Sequence, residues 1–227
     1  MRGTLFTLVA VILLALMSSS ALADDVWGGP PEGQWVRGDP GSTWQHWNFS
    51  DPTSSEPDEG QNEYGDPVSL FDESMWTWVS GLDPLNPPGD PVDGFHFDGQ
   101  EGSIGTMIFQ VPNQPKLNEI KKIFVQVTSS KGPSGITALG FDSVGGGYTS
   151  GVFNTGRPLI QHINGWYTYN YGLTIEPNPE WEDIAIEFPF DTIVDQVVID
   201  TICTPEPATL TMMAIGAVAL VRRRRRK

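Results

Sequence analysis

KKIFVQVTSSKGPSGITALGF, running from Lys121 to Phe141, decides the fold of this chain. Ile123, Val125 and Val127 alternate with Phe124, Gln126 and Thr128, and a period of two is the pattern of an extended strand that buries one face. The stretch then breaks at Ser129–Gly135, where Ser, Lys, Gly and Pro gather as turn residues do, before ITALGF restarts an extended run. Upstream, GTMIFQV sets Met107, Phe109 and Val111 on one face in the same way. Downstream, GYTSGVF, GWYTYNYGLTI, EDIAIEF and DQVVIDTIC repeat the pattern, with DSVGGG and EPNPEW as turns between them. Short strands at this spacing predict an all-β chain, specifically an antiparallel β-sandwich of the jelly-roll kind. Residues 24–66 are rich in Gly, Pro and acids around one early strand at 43–49, and 67–203 carries the body of the sandwich. Helix is expected only in the two terminal segments.

Charge narrows the function. Between Asp24 and Thr204 the only cations are Arg37, Lys116, Lys121, Lys122, Lys131 and Arg157, against 27 acids, which leaves this region about 21 charges negative. Nucleic-acid phosphates and anionic headgroups need clustered Lys and Arg, so nucleic acid is not an expected partner. The chain has one cysteine, Cys203, so no disulfide can form within it. Packing must supply the stability, and Cys203 reads most simply as a small apolar residue ending a strand.

The amino terminus has a secretory pattern. Arg2 precedes an apolar core from Leu5 to Met17, and Ala21-Leu22-Ala23 then presents small residues at Ala21 and Ala23 before Asp24. That core of about 13 residues is shorter than the ~20 that span a bilayer as a helix, so residues 1–23 are expected to be a cleaved signal peptide. No cysteine follows the cleavage point, so lipid modification there is not expected.

At the other end, TPEPATLTMMAIGAVALVRRRRRK places Pro205, Glu206 and Pro207 before an apolar run from Ala208 to Val221. As a helix this run is ~21 Å long at ~1.5 Å per residue, a marginal span of a ~30 Å hydrocarbon core. Arg222, Arg223, Arg224, Arg225, Arg226 and Lys227 hold the terminus in the cytoplasm as a membrane stop. The three parts, in this order, resemble the PEP-CTERM sorting signal of Gram-negative bacteria, over residues 204–227. The resemblance implies recognition by an exosortase, transient anchoring of the precursor in the inner membrane, and delivery to the cell surface or to a polysaccharide-containing extracellular matrix. The central region is also similar to exported planctomycete proteins with the same tail, which brings no activity with it.

Trp76 and Trp78 share one face if MWTWV is extended, and two such indoles on an exposed face would make a platform for sugar rings. The competing reading is that they fill the core. Trp44 and Trp47 pose the same choice, and alternation puts Trp166 opposite Tyr169 and Tyr171. Asp90, Asp93 and Asp98 lie in GDPVDGFHFDGQEG, read as a glycine-bearing loop with oxygens suited to calcium; no other cofactor is expected. His46, His96 and His162 lack the spacing of a zinc site. No nucleophile motif or phosphate loop occurs. The expectation is therefore a non-catalytic surface or matrix protein, structural or glycan-binding, with a polysaccharide hydrolase or lyase as the alternative.

Overall fold

The computed structural model describes residues 29–30, 34–80, 93–113, 119–142, 148–150, 152–161 and 166–205. The signal segment, Ala21 and Ala23 included, and the tail from Glu206 to Lys227 lie outside them, as do the helices expected there. Among the described residues the structure is all-β, and no helix is long and apolar enough to cross a membrane.

The strands are β1 (Ser42–Trp47), β2 (Glu59–Gln61), β3 (Val68–Phe71), β4 (Trp76–Ser80), β5 (Asp93–Phe97), β6 (Ile104–Pro112), β7 (Glu119–Ser129), β8 (Gly135–Phe141), β9 (Tyr148–Ser150), β10 (Val152–Gln161), β11 (Tyr167–Ile175), β12 (Trp181–Pro189) and β13 (Thr192–Pro205). Eight of them form one antiparallel sheet in the order β10-β11-β7-β13-β1-β2, with β5 also on β13 and β4 on β5; five form the other, in the order β3-β6-β12-β8-β9. β13 is the hub, because β7 pairs along one side while β1 takes its later half and β5 its first residues on the other.

The period-two faces read from the sequence are the ones that meet. Met107, Phe109 and Val111 of β6 and Ile184, Ile186 and Phe188 of β12 bury against Ile123, Val125 and Val127 of β7 and Val197 and Ile199 of β13, in one core. Aromatic residues close its end: Trp47 meets Phe109 at 4.8 Å between ring centroids, and Phe71 meets Phe95 at 4.5 Å. A Cβ on Gly105 would stand 2.6 Å from the Phe97 ring, so β6 needs glycine at that point.

The segment read as a calcium loop is partly strand. Phe95 and Phe97 alternate with Gly94 and His96, and burying both phenyl rings pulls Asp93–Phe97 into β5. The amino-terminal third likewise holds a second, short strand, β2, beside β1.

Candidate functional site

The structure places Trp76 and Trp78 on one face, as alternation requires, but it is the inner face. Trp76 is 4% exposed and packs on Phe97 and Phe188 at 5.1 and 5.8 Å. Trp78 is half-buried against the same core, and its Nε1 donates to the Phe49 carbonyl at 3.1 Å. The sugar platform expected there is therefore corrected: β4 lies on β5, which packs over the core, so the indoles turn inward and Thr77 turns out. Thr77 Oγ1 donates to Asp98 at 2.8 Å. Asp90 lies outside the described residues, Asp93 is set by its backbone in β5, and no group of three acids, histidines or cysteines among the described residues is arranged to hold a metal. His46 is buried and bonded to Gln196 at 2.8 Å, His96 meets Asp191 at 3.2 Å, and His162 is outside the described residues. Trp166 is buried and immediately precedes β11, which carries the half-buried Tyr169 and Tyr171. Pro205 of the sorting motif is the last residue of β13.

On the outer face of the larger sheet, four of the buried polar side chains are tied to one another. His46, Gln196, Thr128 and Thr168 form a hydrogen-bonded row across β1, β13, β7 and β11, with steps of 2.8, 3.1 and 2.9 Å. Beside it Arg37 grips the fully buried Asp200 with two nitrogens, one at 2.7 Å, and lays its guanidinium 4.5 Å above the Trp44 ring. This arrangement clamps the amino-terminal segment onto the sheet, and it covers Trp44 rather than presenting it.

A cleft opens instead along the other edge, where the chain between β2 and β3 folds toward β6 and β12. Asn62 sets its course: Nδ2 donates to the Pro112 carbonyl at 3.0 Å, while Oδ1 accepts from the Tyr64 amide at 2.9 Å, a local turn that an Asn side chain favours. Asp58 secures the preceding loop by accepting from the Asn48 amide at 2.9 Å and from Ser50 Oγ. Two hollows adjoin this segment, with Asp66 in the lining of both. The larger, about 610 Å³, is lined by Gln45, Glu56, Asp58, Glu59 and Gln61. Gln45 is 1% exposed, and neither carboxamide atom makes a hydrogen bond. The smaller, about 370 Å³, is lined by Tyr64, Gln110, Asn113, Glu180 and Trp181.

The smaller chamber is rigidly framed. Trp181 stacks on Phe141 with ring centroids 4.1 Å apart and planes 31° apart. The Glu180 amide donates to the Phe141 carbonyl at 2.9 Å, and its carbonyl accepts from the Asn113 amide at 2.8 Å. Asn113 Nδ2 donates to Asn178 Oδ1 at 2.6 Å and to the Pro179 carbonyl at 2.9 Å. Burial pushes the neighbouring Asp183 carboxyl up from the usual range, against a hydrogen bond with Gln110. An indole, a phenol, carboxamides and carboxylates together offer a flat apolar surface and acceptors for hydroxyl groups. The sequence reading missed this site. Trp181 stood at the end of a turn and Tyr64 in an acid-rich loop, and no local pattern announces that the two converge.

The description PEP-CTERM protein-sorting motif matches residues 204–226. The motif indicates an exported protein, anchored in the membrane as a precursor and sorted to the cell surface. No curated protein matches the chain, and the expected likeness of its central region to exported planctomycete proteins finds no support. Among solved structures it is similar to the enzymatically active domain of bacteriophage CBA120 tailspike protein 4, at 12% identity and a TM-score of 0.29, over 61% of this chain and 19% of that one. It is also similar to TmCBM61 in complex with β-1,4-galactotriose, at 13% identity and a TM-score of 0.21, over 60% of this chain and 89% of that one. At these scores neither likeness carries an argument.

Proposed function

We propose that this chain is the precursor of a non-catalytic surface protein, processed by an exosortase in the inner membrane, whose β-domain holds an extracellular polysaccharide in the cleft between Gln45 and Trp181. The observation that carries the reading is the composition of that cleft: Trp181 and Tyr64 for the sugar's C–H face, and the accessible Gln61 and Gln110 for its hydroxyls. Glu56, Glu59, Asp66 and Glu180 make it strongly negative, which favours neutral or amine-bearing sugars over uronates. The reading needs no cofactor.

Strand order supports taking the domain as a jelly-roll sandwich. From β5 to β8 the chain passes between the sheets at each step, and β11, β12 and β13 return the same way, so that β13 lies between β5 and β7 and β12 between β6 and β8. This interleaving of late strands among early ones is the Greek-key arrangement on which jelly rolls are built.

Asp66 and Glu180 line one chamber, and this observation favours the second reading, a hydrolase or lyase, since glycoside hydrolysis uses two carboxylates flanking the scissile bond. A glycan array probed with the full chain, followed by a reducing-sugar assay on every bound polysaccharide, tests both. Binding is expected without release of reducing ends, and is expected to be lost in Trp181→Ala. Release of reducing ends would replace the first reading with the second. Absence of binding, or binding untouched by Trp181→Ala, would overturn the assignment of the cleft.

A further inference from the structure

Beneath the cleft, three reactive groups from three strands meet. Lys121 of β7 and Cys203 of β13 are direct cross-strand partners, and Lys121 Nζ lies 3.9 Å from Cys203 Sγ. Glu182 of β12 reaches across from the facing sheet to stand 3.2 Å from the same Nζ. The Lys121 and Glu182 side chains are fully buried, and neither Glu182 oxygen makes a well-aligned hydrogen bond. Cys203 is partly exposed, and its thiol points at Asn113 Oδ1 and Asn178 Oδ1, at 3.3 and 3.5 Å. The sulfur thus belongs to a partly exposed residue, while the amine beside it is fully buried.

We propose that Cys203 and Lys121 are a cross-linking site, at which a peroxide joins sulfur to nitrogen and fastens β13 covalently to β7. The thiol attacks one peroxide oxygen, an S–O bond forms as the O–O bond breaks, and water leaves, giving a sulfenic acid. Glu182 takes a proton from the Lys121 ammonium. The freed amine attacks the sulfur, an N–S bond forms, and the S–O bond breaks. The departing hydroxyl leaves as water with the proton that Glu182 held, and the second ammonium proton lost passes to solvent. One thiol, one amine and one peroxide give a sulfenamide and two waters, and thiol reductants reverse it.

Three features favour this outcome over simple oxidation. The chain has no second cysteine, so an internal disulfide cannot intercept the sulfenic acid. The amine is held by the strand register and by Glu182, so it competes at high effective concentration with a second peroxide molecule. Glu182 supplies a carboxylate as proton carrier where water is excluded. The link would close the larger sheet two residues before Pro205, and it does not depend on any glycan being bound.

The test is peptide mapping by mass spectrometry of the full chain, purified in detergent, before and after treatment with hydrogen peroxide. The expected result is a linked peptide pair joining Lys121 and Cys203, lighter by two hydrogens than the two peptides together, refractory to iodoacetamide and separated by dithiothreitol. The melting transition should rise on oxidation and fall back on reduction, and Cys203→Ser should abolish that shift. In Lys121→Arg the same treatment should carry Cys203 on to sulfinic and sulfonic acids, with no link. If Lys121→Arg does not fold, the wild-type map and its reversal decide alone. Recovery of Cys203 as sulfinic acid beside unmodified Lys121, as an intermolecular disulfide, or as a still alkylatable thiol would overturn the proposal.

Discussion

Replacing Glu182 by Gln measures what the buried ion pair contributes. Burial, only partly offset by Lys121, raises the Glu182 carboxyl to about 7, with Asp183 adding to the rise. The unfolded carboxyl titrates near 4.5. The folded chain thus holds the proton more tightly, so the contribution is fully present below about pH 4.5 and is lost as pH rises through about 7. At ~1.4 kcal/mol per pH unit the loss amounts to about 3 kcal/mol. Gln has nearly the shape of the protonated carboxyl and does not titrate. Urea unfolding of both chains at pH 5 and pH 8 should therefore find them within ~1 kcal/mol at the lower pH, and the variant more stable by up to ~3 kcal/mol at the higher. Asp51, Asp72 and Asp191, whose carboxyls are held low by hydrogen bonds, titrate alike in both chains and cancel in the difference. Replacing both partners, Lys121→Met with Glu182→Leu, should raise stability by ~1–4 kcal/mol, as removal of a whole buried pair often does. A difference between wild type and Glu182→Gln that is flat with pH, or that turns in favour of the wild type as pH rises, would show that attraction to Lys121 outweighs desolvation and would refute the reasoning.

Trp76→Ala should cost ~3–5 kcal/mol, the scale for truncating a buried aromatic, while the folded fraction keeps its polysaccharide affinity; denaturant midpoints and glycan binding on the same sample separate the two effects. Gly105→Ala should destabilise by ~1–3 kcal/mol in urea unfolding, because the added methyl meets Phe97 in a core that has no slack. Uronate-bearing polysaccharides should bind at least ~10-fold more weakly than neutral ones at low ionic strength, and the gap should narrow with added salt, as titrations at two salt concentrations would reveal. Replacing Pro205, Glu206 and Pro207 by Ala should strand the precursor in the inner membrane, and intact-mass measurement of surface-released wild-type protein should find Asp24 at its start and no arginine cluster.

The sheets were legible because their inner faces are written at period two. Met107, Phe109 and Val111, or Ile123, Val125 and Val127, become a buried row whichever strands lie beside them. What alternation cannot say is which face of a strand is inner when both carry large residues. Trp76 and Trp78 were correctly placed together, but only the pairing of β4 with β5, and of β5 with β13, turns them toward the core. The calcium-loop reading of Asp93–Phe97 weighed the acids and glycines above the two phenylalanines, whose burial decided the matter. The cleft was illegible for a different reason: Tyr64 and Trp181 come from a loop and a strand start far apart in the chain, and only register between β3, β6 and β12 brings them together. Lys121 was hidden likewise, since a lysine at the head of a strand reads as solvated until the facing sheet supplies Glu182.

The position of β13 links the fold to the sorting motif. Among the described residues it is the last strand, yet the larger sheet is organised around it, with β7, β1 and β5 all hydrogen-bonded to it. The region below the motif is therefore incomplete until the residues immediately before Thr204 have been made and paired. The motif match begins at Thr204, and β13 continues to Pro205, opposite Glu119, so the folded body and the sorting segment adjoin with no linker between them. Proline has no amide hydrogen to donate to a ladder, so neither Pro205 nor Pro207 can donate to a neighbouring strand. An enzyme cutting beyond Pro205 would leave the register from Val194 to Thr204 intact. A cut there would remove the tail without touching the paired residues before it, and the proposed link between Cys203 and Lys121, two residues before Pro205, would hold the remaining end.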